Sequence, residues 1–224
     1  MWGRSLYRNI QRFVLFQLTI NFAAITICFI GAVFGTEMPL TVVQILWVNI
    51  IMDTFAAMAM ASLPPNPEVM RDKPRPRDEF IITPAMARTL FTCGAAMVVV
   101  LLGMLFRWTI LQGGLTVEQL TVFFSTFVFL QFWNMFNAKA FNTHQSAFAR
   151  MGASIGGFGV VALLILAGQY LIVTFGGKMF NVVPLSWTDW GIIFAGTSLV
   201  LWFGELARAF TPGKSGSRPR TVRE

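Results

Sequence analysis

A single acidic residue, Asp53, lies in the middle of a long apolar segment that runs from Leu40 to Leu63. An ionisable group at mid-bilayer depth costs about 2.5–3.5 kcal/mol on insertion scales, so it is rarely kept without a use. Asn49 precedes Asp53 by four residues, which on a helix places both side chains on one face. Carboxylate and amide oxygens suit a hard cation, and the pair predicts a membrane protein that handles an ion. The alternative is a carboxyl group kept for helix packing alone.

Other polar residues interrupt the remaining apolar segments. Asn21 lies midway along the first, and Gln131, Asn134 and Asn137 form a stripe at three-residue spacing on a later one. Such amides either bridge neighbouring helices or line a cavity. For Gln131 both interpretations stay open, whereas for Asn137 bridging or a position at the end of the helix is favoured.

The supply of ligands is too small for a complete divalent site. Calcium prefers 6–8 oxygen ligands, usually with about two carboxylates among them. This chain offers one deeply placed acid, Asp53, together with amides at Asn49, Asn21 and Gln131. Either the cargo is a monovalent ion or a proton, or another polypeptide segment supplies the second carboxylate.

The composition favours a protein embedded in a lipid bilayer. Of its 224 residues 55% are hydrophobic and 12% are charged, whereas soluble domains carry about 25% charged residues. The net charge of +7 comes from basic residues between apolar segments, so we expect no nucleic-acid partner. Cys28 and Cys93 fall inside apolar segments and His144 is the one histidine, which argues against redox chemistry and a histidine-based metal site.

The predicted fold class is all-α, a polytopic membrane protein with a six-helix transmembrane bundle. Each span approaches the ~20 apolar residues that cross a bilayer core. Thr83-Pro84 predicts the start of the third helix and Gly113-Gly114 a turn after it. The predicted spans are 13–35, 40–62, 87–106, 119–138, 153–175 and 188–208. They divide the chain into a cytoplasmic stalk (1–12), a six-span membrane domain (13–210) and a disordered cytoplasmic tail (211–224).

The basic residues predict the orientation. Fifteen of the 17 Lys and Arg residues lie on one predicted face, and only Arg107 and Lys178 lie on the other. By the positive-inside rule, the richer face is cytoplasmic and both termini lie there.

Several segments resemble the P-type calcium-transporting ATPases. WGRSLYRNIQRFVLFQLTINFAAI resembles their stalk and fifth transmembrane helix, and LWVNIIMDTFAAMAMASLPPNPEVM resembles the sixth helix and the loop after it. RDKPRPRDEFIITPAM is similar to the loop entering the seventh helix, and FVFLQFWNMFNAKAF to the eighth. The resemblance covers essentially the whole chain as helices five to ten, although the last two match only in hydropathy.

The resemblance implies roles for particular residues. Asn49 and Asp53 match calcium ligands of the sixth helix, and Asn21 matches an ion-binding asparagine of the fifth. Ala24, Met52 and Gln131 stand where two-site pumps have liganding residues. Those three departures resemble the plasma-membrane class, which transports one calcium ion per cycle and takes its remaining acid from the fourth helix. Gln131 nevertheless offers an amide oxygen, so it is kept as a candidate ligand.

The resemblance also implies partners. The sequence contains no DKTGT phosphorylation motif, no nucleotide-binding domain, no TGE actuator loop and no PEGL fourth helix, so we expect no ATP hydrolysis by this chain alone. Calcium is the expected transported ion, and ATP and magnesium would act only through the missing N-terminal half: actuator, nucleotide-binding and phosphorylation domains with helices one to four. The expected location is the cell membrane, with the lipid bilayer as the other partner.

Three hypotheses follow. The first is the carboxy-terminal membrane half of a calcium-exporting P-type ATPase. The second is a non-catalytic or degenerate membrane subunit that only packs with partners. The third is a transporter of another cation such as manganese, sodium or protons; a secondary transporter would be expected to show inverted repeats, and spans one to three do not resemble spans four to six.

Overall fold

The computed structural model describes residues 2–35, 39–64, 70, 80–141 and 155–210. In these ranges every regular element is a helix. The elements, in chain order, are α1 (Trp2–Val33), α2 (Val42–Trp47), a π-helical turn (Val48–Met52), α3 (Asp53–Ala61), α4 (Pro84–Gln112), α5 (Val117–Lys139), a second π-helical turn (Ile155–Gly159), α6 (Val160–Phe175), α7 (Gly177–Phe180) and α8 (Trp187–Phe210). The all-α prediction is therefore confirmed, and the predicted tail at 211–224 lies outside the described residues.

Helices occupy all six predicted spans. Four of them are long and apolar enough to cross a membrane: Trp2–Val33, Val42–Ala61, Pro84–Ile110 and Gly157–Phe175. α5 and α8 have 23 and 24 residues, which lies within the range of lengths of those four helices. Six crossings, and the cytoplasmic position of both termini, stay predictions.

Local chemistry sets several helix ends. The Thr83 hydroxyl accepts a hydrogen bond from the Met86 amide, and Pro84 occupies the first turn of α4, as predicted. Gly113 ends the same helix with φ +71°, a left-handed conformation that glycine adopts without steric cost. Thr116 begins α5 through a reciprocal cap with Gln119.

α5 lies at the centre of the bundle. It packs against α1, α4, α6 and α8, and its side chains from Phe123 to Lys139 are all buried. The contact with α8 is close, because a Cβ atom added at Gly204 would lie 2.2 Å from Asn137 Oδ1. Close packing of this kind stabilises helices in lipid, where no hydrophobic effect drives them together.

The predicted ion-handling segment packs against the first helix. α1 contacts α3 and also α4 and α5. The π-helical turn Val48–Met52 interrupts the second span between α2 and α3. Asp53, the first residue of α3, therefore lies where an irregular helix meets α1.

Candidate functional site

Asp53 is held by a glutamine from another helix. The Gln17 Nε2 atom of α1 donates a hydrogen bond to Asp53 Oδ2. The remaining oxygens of this pair, Asp53 Oδ1 and Gln17 Oε1, are both buried, and neither has a hydrogen-bond partner among the described residues. Since a carboxylate oxygen and an amide oxygen can only accept, the two atoms together favour a cation or a donor group beside them.

The backbone at Asp53 is irregular. The Asp53 amide donates to the carbonyls of Asn49 and Ile50, at the end of the π-helical turn. A π-helical turn is wider than an α-helical turn, so four residues fall slightly short of one revolution and Asn49 and Asp53 remain near one face. Both side chains are half-buried. Turns of this type occur frequently at functional sites.

Asn21 extends the same surface of α1. It lies one helical turn after Gln17, so the two side chains share a face, and it is also half-buried. By spacing, Gln17 and Asn21 share a face of α1, and Asn49 and Asp53 share a face of the second span. The hydrogen bond from Gln17 to Asp53 is the contact that joins the two faces among the described residues.

Gln131 lies in a different interface. It is fully buried on α5, and its Nε2 atom donates to Met97 Sδ of α4 at 3.6 Å. Its Oε1 atom is buried without a partner. The hydrogen bonds of the described residues thus connect Gln131 to α4, and none joins it to Asp53.

The other amides of the α5 stripe differ from one another. Asn137 Nδ2 donates to the Val200 carbonyl of α8 at 3.0 Å, which confirms the predicted helix-bridging role. Asn134 is buried, and its Nδ2 atom has no partner. The stripe therefore contains both a bridging residue and unsatisfied groups.

Gln17 was missed by the sequence analysis. The available signal was its position four residues before Asn21, which places it on the face already singled out. Its pairing with a carboxylate 36 residues away is a tertiary contact that spacing does not reveal.

The arrangement can bind a cation in part. One carboxylate supplies negative charge, and amide oxygens supply neutral ligands of the kind that calcium accepts. In the part of the chain that the structure describes, no three His, Cys, Asp or Glu side chains cluster to hold a metal. Asp53 is the acid that the described residues place at the contact with Gln17, and the half-site stays a prediction.

Comparison with known proteins gives consistent matches. The family model described as "Cation transporting ATPase, C-terminus" matches residues 37–210. The chain is 38% identical over 198 residues to "Calcium-transporting ATPase 12, plasma membrane-type" of Arabidopsis thaliana, covering 88% of this chain and 19% of that protein. It is 33% identical over 220 residues to "Plasma membrane calcium-transporting ATPase 3" of Homo sapiens, covering 90% and 17%.

A rice protein gives the same picture. "Calcium-transporting ATPase 7, plasma membrane-type" of Oryza sativa subsp. japonica is 39% identical over 201 residues, covering 90% of this chain and 19% of that protein. The chain therefore spans less than a fifth of the length of these relatives.

Proposed function

This chain belongs to the cation-transporting ATPase family as its C-terminal membrane region, and from that premise we propose that it supplies part of a single calcium site to a pump that exports calcium. The relatives named above are calcium-transporting ATPases of plasma-membrane type. The ion, the direction of transport and the cell-membrane location are carried to this chain from them. The charge asymmetry of its basic residues supports cytoplasmic termini.

The observation that carries the proposal is the incomplete hydrogen bonding of the Asp53 carboxylate. A half-buried carboxylate is held by one donor, Gln17, and keeps a second oxygen buried without a partner. An unsatisfied buried acceptor costs free energy, and a cation at this point would recover that cost. Since membrane-embedded acids mark ion pathways by default, transport is the favoured explanation.

In the proposed site Asp53 supplies the charge that this chain gives, and Asn49 and Asn21 supply neutral oxygens. Gln131 would join only if its Oε1 atom turned toward the α1 face of the bundle. One carboxylate leaves a divalent ion half-neutralised, so the second acid would come from the N-terminal portion of the pump, as the resemblance implies for the fourth helix. ATP and magnesium would act in the domains of that portion, where phosphorylation by ATP would supply the energy for transport.

The test is charge removal at constant shape. In the complete pump that contains this chain, or in the chain co-expressed with its N-terminal half, Asp53→Asn should abolish calcium uptake into inside-out vesicles. The matched control is Asp189→Asn on α8, a half-buried carboxylate that accepts hydrogen bonds from Ser186 near the helix start. Calcium uptake that survives Asp53→Asn at the wild-type rate would refute the proposed function.

One observation favours the packing-only alternative, because the Gln17–Asp53 hydrogen bond also joins two helices. A purely structural carboxylate tolerates Asn, which keeps an acceptor oxygen for Gln17. The same vesicle assay therefore separates the two functions. Asn and Asp oxygens discriminate weakly between hard divalent cations. The assay is therefore repeated with manganese in place of calcium, and the two uptake rates identify the transported ion.

A further inference from the structure

We propose that Gln17 is a member of the cation site, positioning Asp53 through its amide nitrogen and presenting its amide oxygen to the ion. The inference rests on the proposed function and adds a residue that neither the motif nor the family resemblance assigns. It concerns the first helix, where the resemblance implied only Asn21.

The first step is the geometry of the amide. Only the NH2 end of Gln17 can donate to a carboxylate, so the hydrogen bond to Asp53 Oδ2 fixes which end of the amide faces Asp53. The oxygen end is then directed away from Oδ2. Gln17 Oε1 is buried, and no group in the described part of the chain donates a hydrogen bond to it.

The second step is the charge of the atoms left over. Asp53 Oδ1 and Gln17 Oε1 both carry partial or full negative charge, belong to one hydrogen-bonded pair and lack donors. Two acceptor-only oxygens in a low-dielectric interface are costly unless a positive group lies between or beside them. A hard cation coordinated by both oxygens would satisfy them together, since carboxylate and amide oxygens are both ligands that calcium accepts.

The third step is the position on α1. Gln17 lies one turn before Asn21 on the same helical face, and α1 packs directly against α3. The first helix would thus give two consecutive amides to the site instead of one. Its glutamine would also hold the single carboxylate in place, and an oriented ligand loses less rotamer entropy when the ion binds.

The test compares two buried glutamines. Gln17→Met keeps the length of the side chain and removes both the donor and the oxygen. Gln169→Met is the matched control, because Gln169 of α6 is buried and donates to Ser125 Oγ at 3.4 Å. Among the described residues its Oε1 atom likewise has no partner, and its hydrogen bond goes to a hydroxyl group where that of Gln17 goes to a carboxylate. Both variants are made in the complete pump, and the readouts are the calcium concentration for half-maximal transport and the rate at saturating calcium.

The expected result is a split between affinity and maximal rate. Gln17→Met should raise the half-maximal calcium concentration about 10-fold, the low end of the 10–100-fold losses seen when groups that orient metal ligands are removed. The rate at saturating calcium should stay near that of wild type, since the ion supplied in excess still binds. Gln169→Met should leave the half-maximal concentration unchanged, because a packing glutamine affects amounts of folded pump and not its calcium dependence.

A second variant covers the case in which Gln17→Met does not fold. Gln17→Glu keeps the oxygen and the volume but places a second carboxylate against Asp53, and it too should shift the half-maximal calcium concentration. An unchanged concentration in the folded variants, together with loss of transport in Asp53→Asn, would overturn the role of Gln17 and leave the proposed function standing. Full transport in Asp53→Asn would remove both.

Discussion

Asn49 and Asn137 are two asparagines of the membrane region with opposite expected roles. Asn49 lies in the π-helical turn that leads to Asp53, whereas Asn137 donates to the Val200 carbonyl at the α5–α8 contact. We expect Asn49→Ala to raise the half-maximal calcium concentration about 10-fold by removing a ligand oxygen. Asn137→Ala should leave that concentration unchanged and lower the free energy of unfolding by about 0.6 kcal/mol, the average for hydrogen bonds between membrane helices.

Transport assays and thermal unfolding in detergent separate the two asparagines. A wild-type calcium dependence in Asn49→Ala would exclude its side chain from the site. An altered calcium dependence in Asn137→Ala would contradict a purely bridging role.

Part of the candidate site is predictable at the level of single residues. A charge inside an apolar segment stands out against its surroundings, and Asn49 follows from its spacing to Asp53. Gln17 does not stand out in the same way, because it lies close to the polar stalk and its partner is on another helix. The partner of a polar residue depends on how helices pack, and no single segment encodes that packing.

The π-helical turn is the feature of the second span that local chemistry did not predict. Helix caps depend on neighbouring residues, so the sequence predicts the start of α4 from Thr83-Pro84 and its end from Gly113. A π-helical turn has no comparable signature, because the residues Val48–Met52 would also fit a regular helix. Its hydrogen-bond pattern depends on the packing of the neighbouring helix. Here that helix is α3, which follows the turn and packs against α1.

The wider turn itself can be tested by removing one residue. Ile50 is 64% exposed, so its deletion removes little packing and lets the segment return to regular α-helical geometry. Asn49 would then lie three residues before Asp53, about 60° short of one revolution of a regular helix, so its side chain would turn further from Asp53 than it does in the wider turn. We expect the deletion to raise the half-maximal calcium concentration of transport in pump that still folds and reaches the membrane.

The control for this deletion is Ile50→Ala, which keeps the residue count and should transport calcium with wild-type affinity. Folding is followed by size-exclusion chromatography of the solubilised protein. Wild-type transport by the deletion variant would mean that the orientation of Asn49 relative to Asp53 does not matter.

At the scale of the whole molecule, sequence patterning predicts the class of fold better than its arrangement. Apolar segments of spanning length predict helices, and all six appear. The central position of α5 is shown by its burial, since every side chain from Phe123 to Lys139 is buried and no face of this part of the helix is exposed. Which helices surround it follows from side-chain shapes at each contact, such as Gly204 against Asn137, and periodicity alone does not specify these.

The bundle also contains a buried cation at the end of its central helix. Lys139, the last residue of α5, is 8% exposed, and within the described part of the chain its Nζ atom has no hydrogen-bond partner. It lies 4.9 Å from the centre of the Phe158 ring. A desolvated cation–π contact gives about 2 kcal/mol or more, whereas desolvating an ion costs several kcal/mol, so we expect the charge of Lys139 to destabilise the fold.

Burial, and after it the nearby positive charge of Arg12, lowers the pKa of Lys139 from its ordinary value of 10.5. Between the lowered pKa and 10.5 the unfolded chain binds more protons than the folded chain, so stability should rise with pH in that window.

Lys139→Met keeps the apolar stem and removes the charge. We expect it to raise the midpoint of thermal unfolding in detergent by about 2–4 °C, equivalent to about 1 kcal/mol for a chain of this size, and to flatten the increase in stability with pH below 10.5. Lys178→Met, at an exposed lysine, should change neither quantity; a lower midpoint in Lys139→Met with an unchanged pH slope would mean that the charge of Lys139 is compensated inside the bundle.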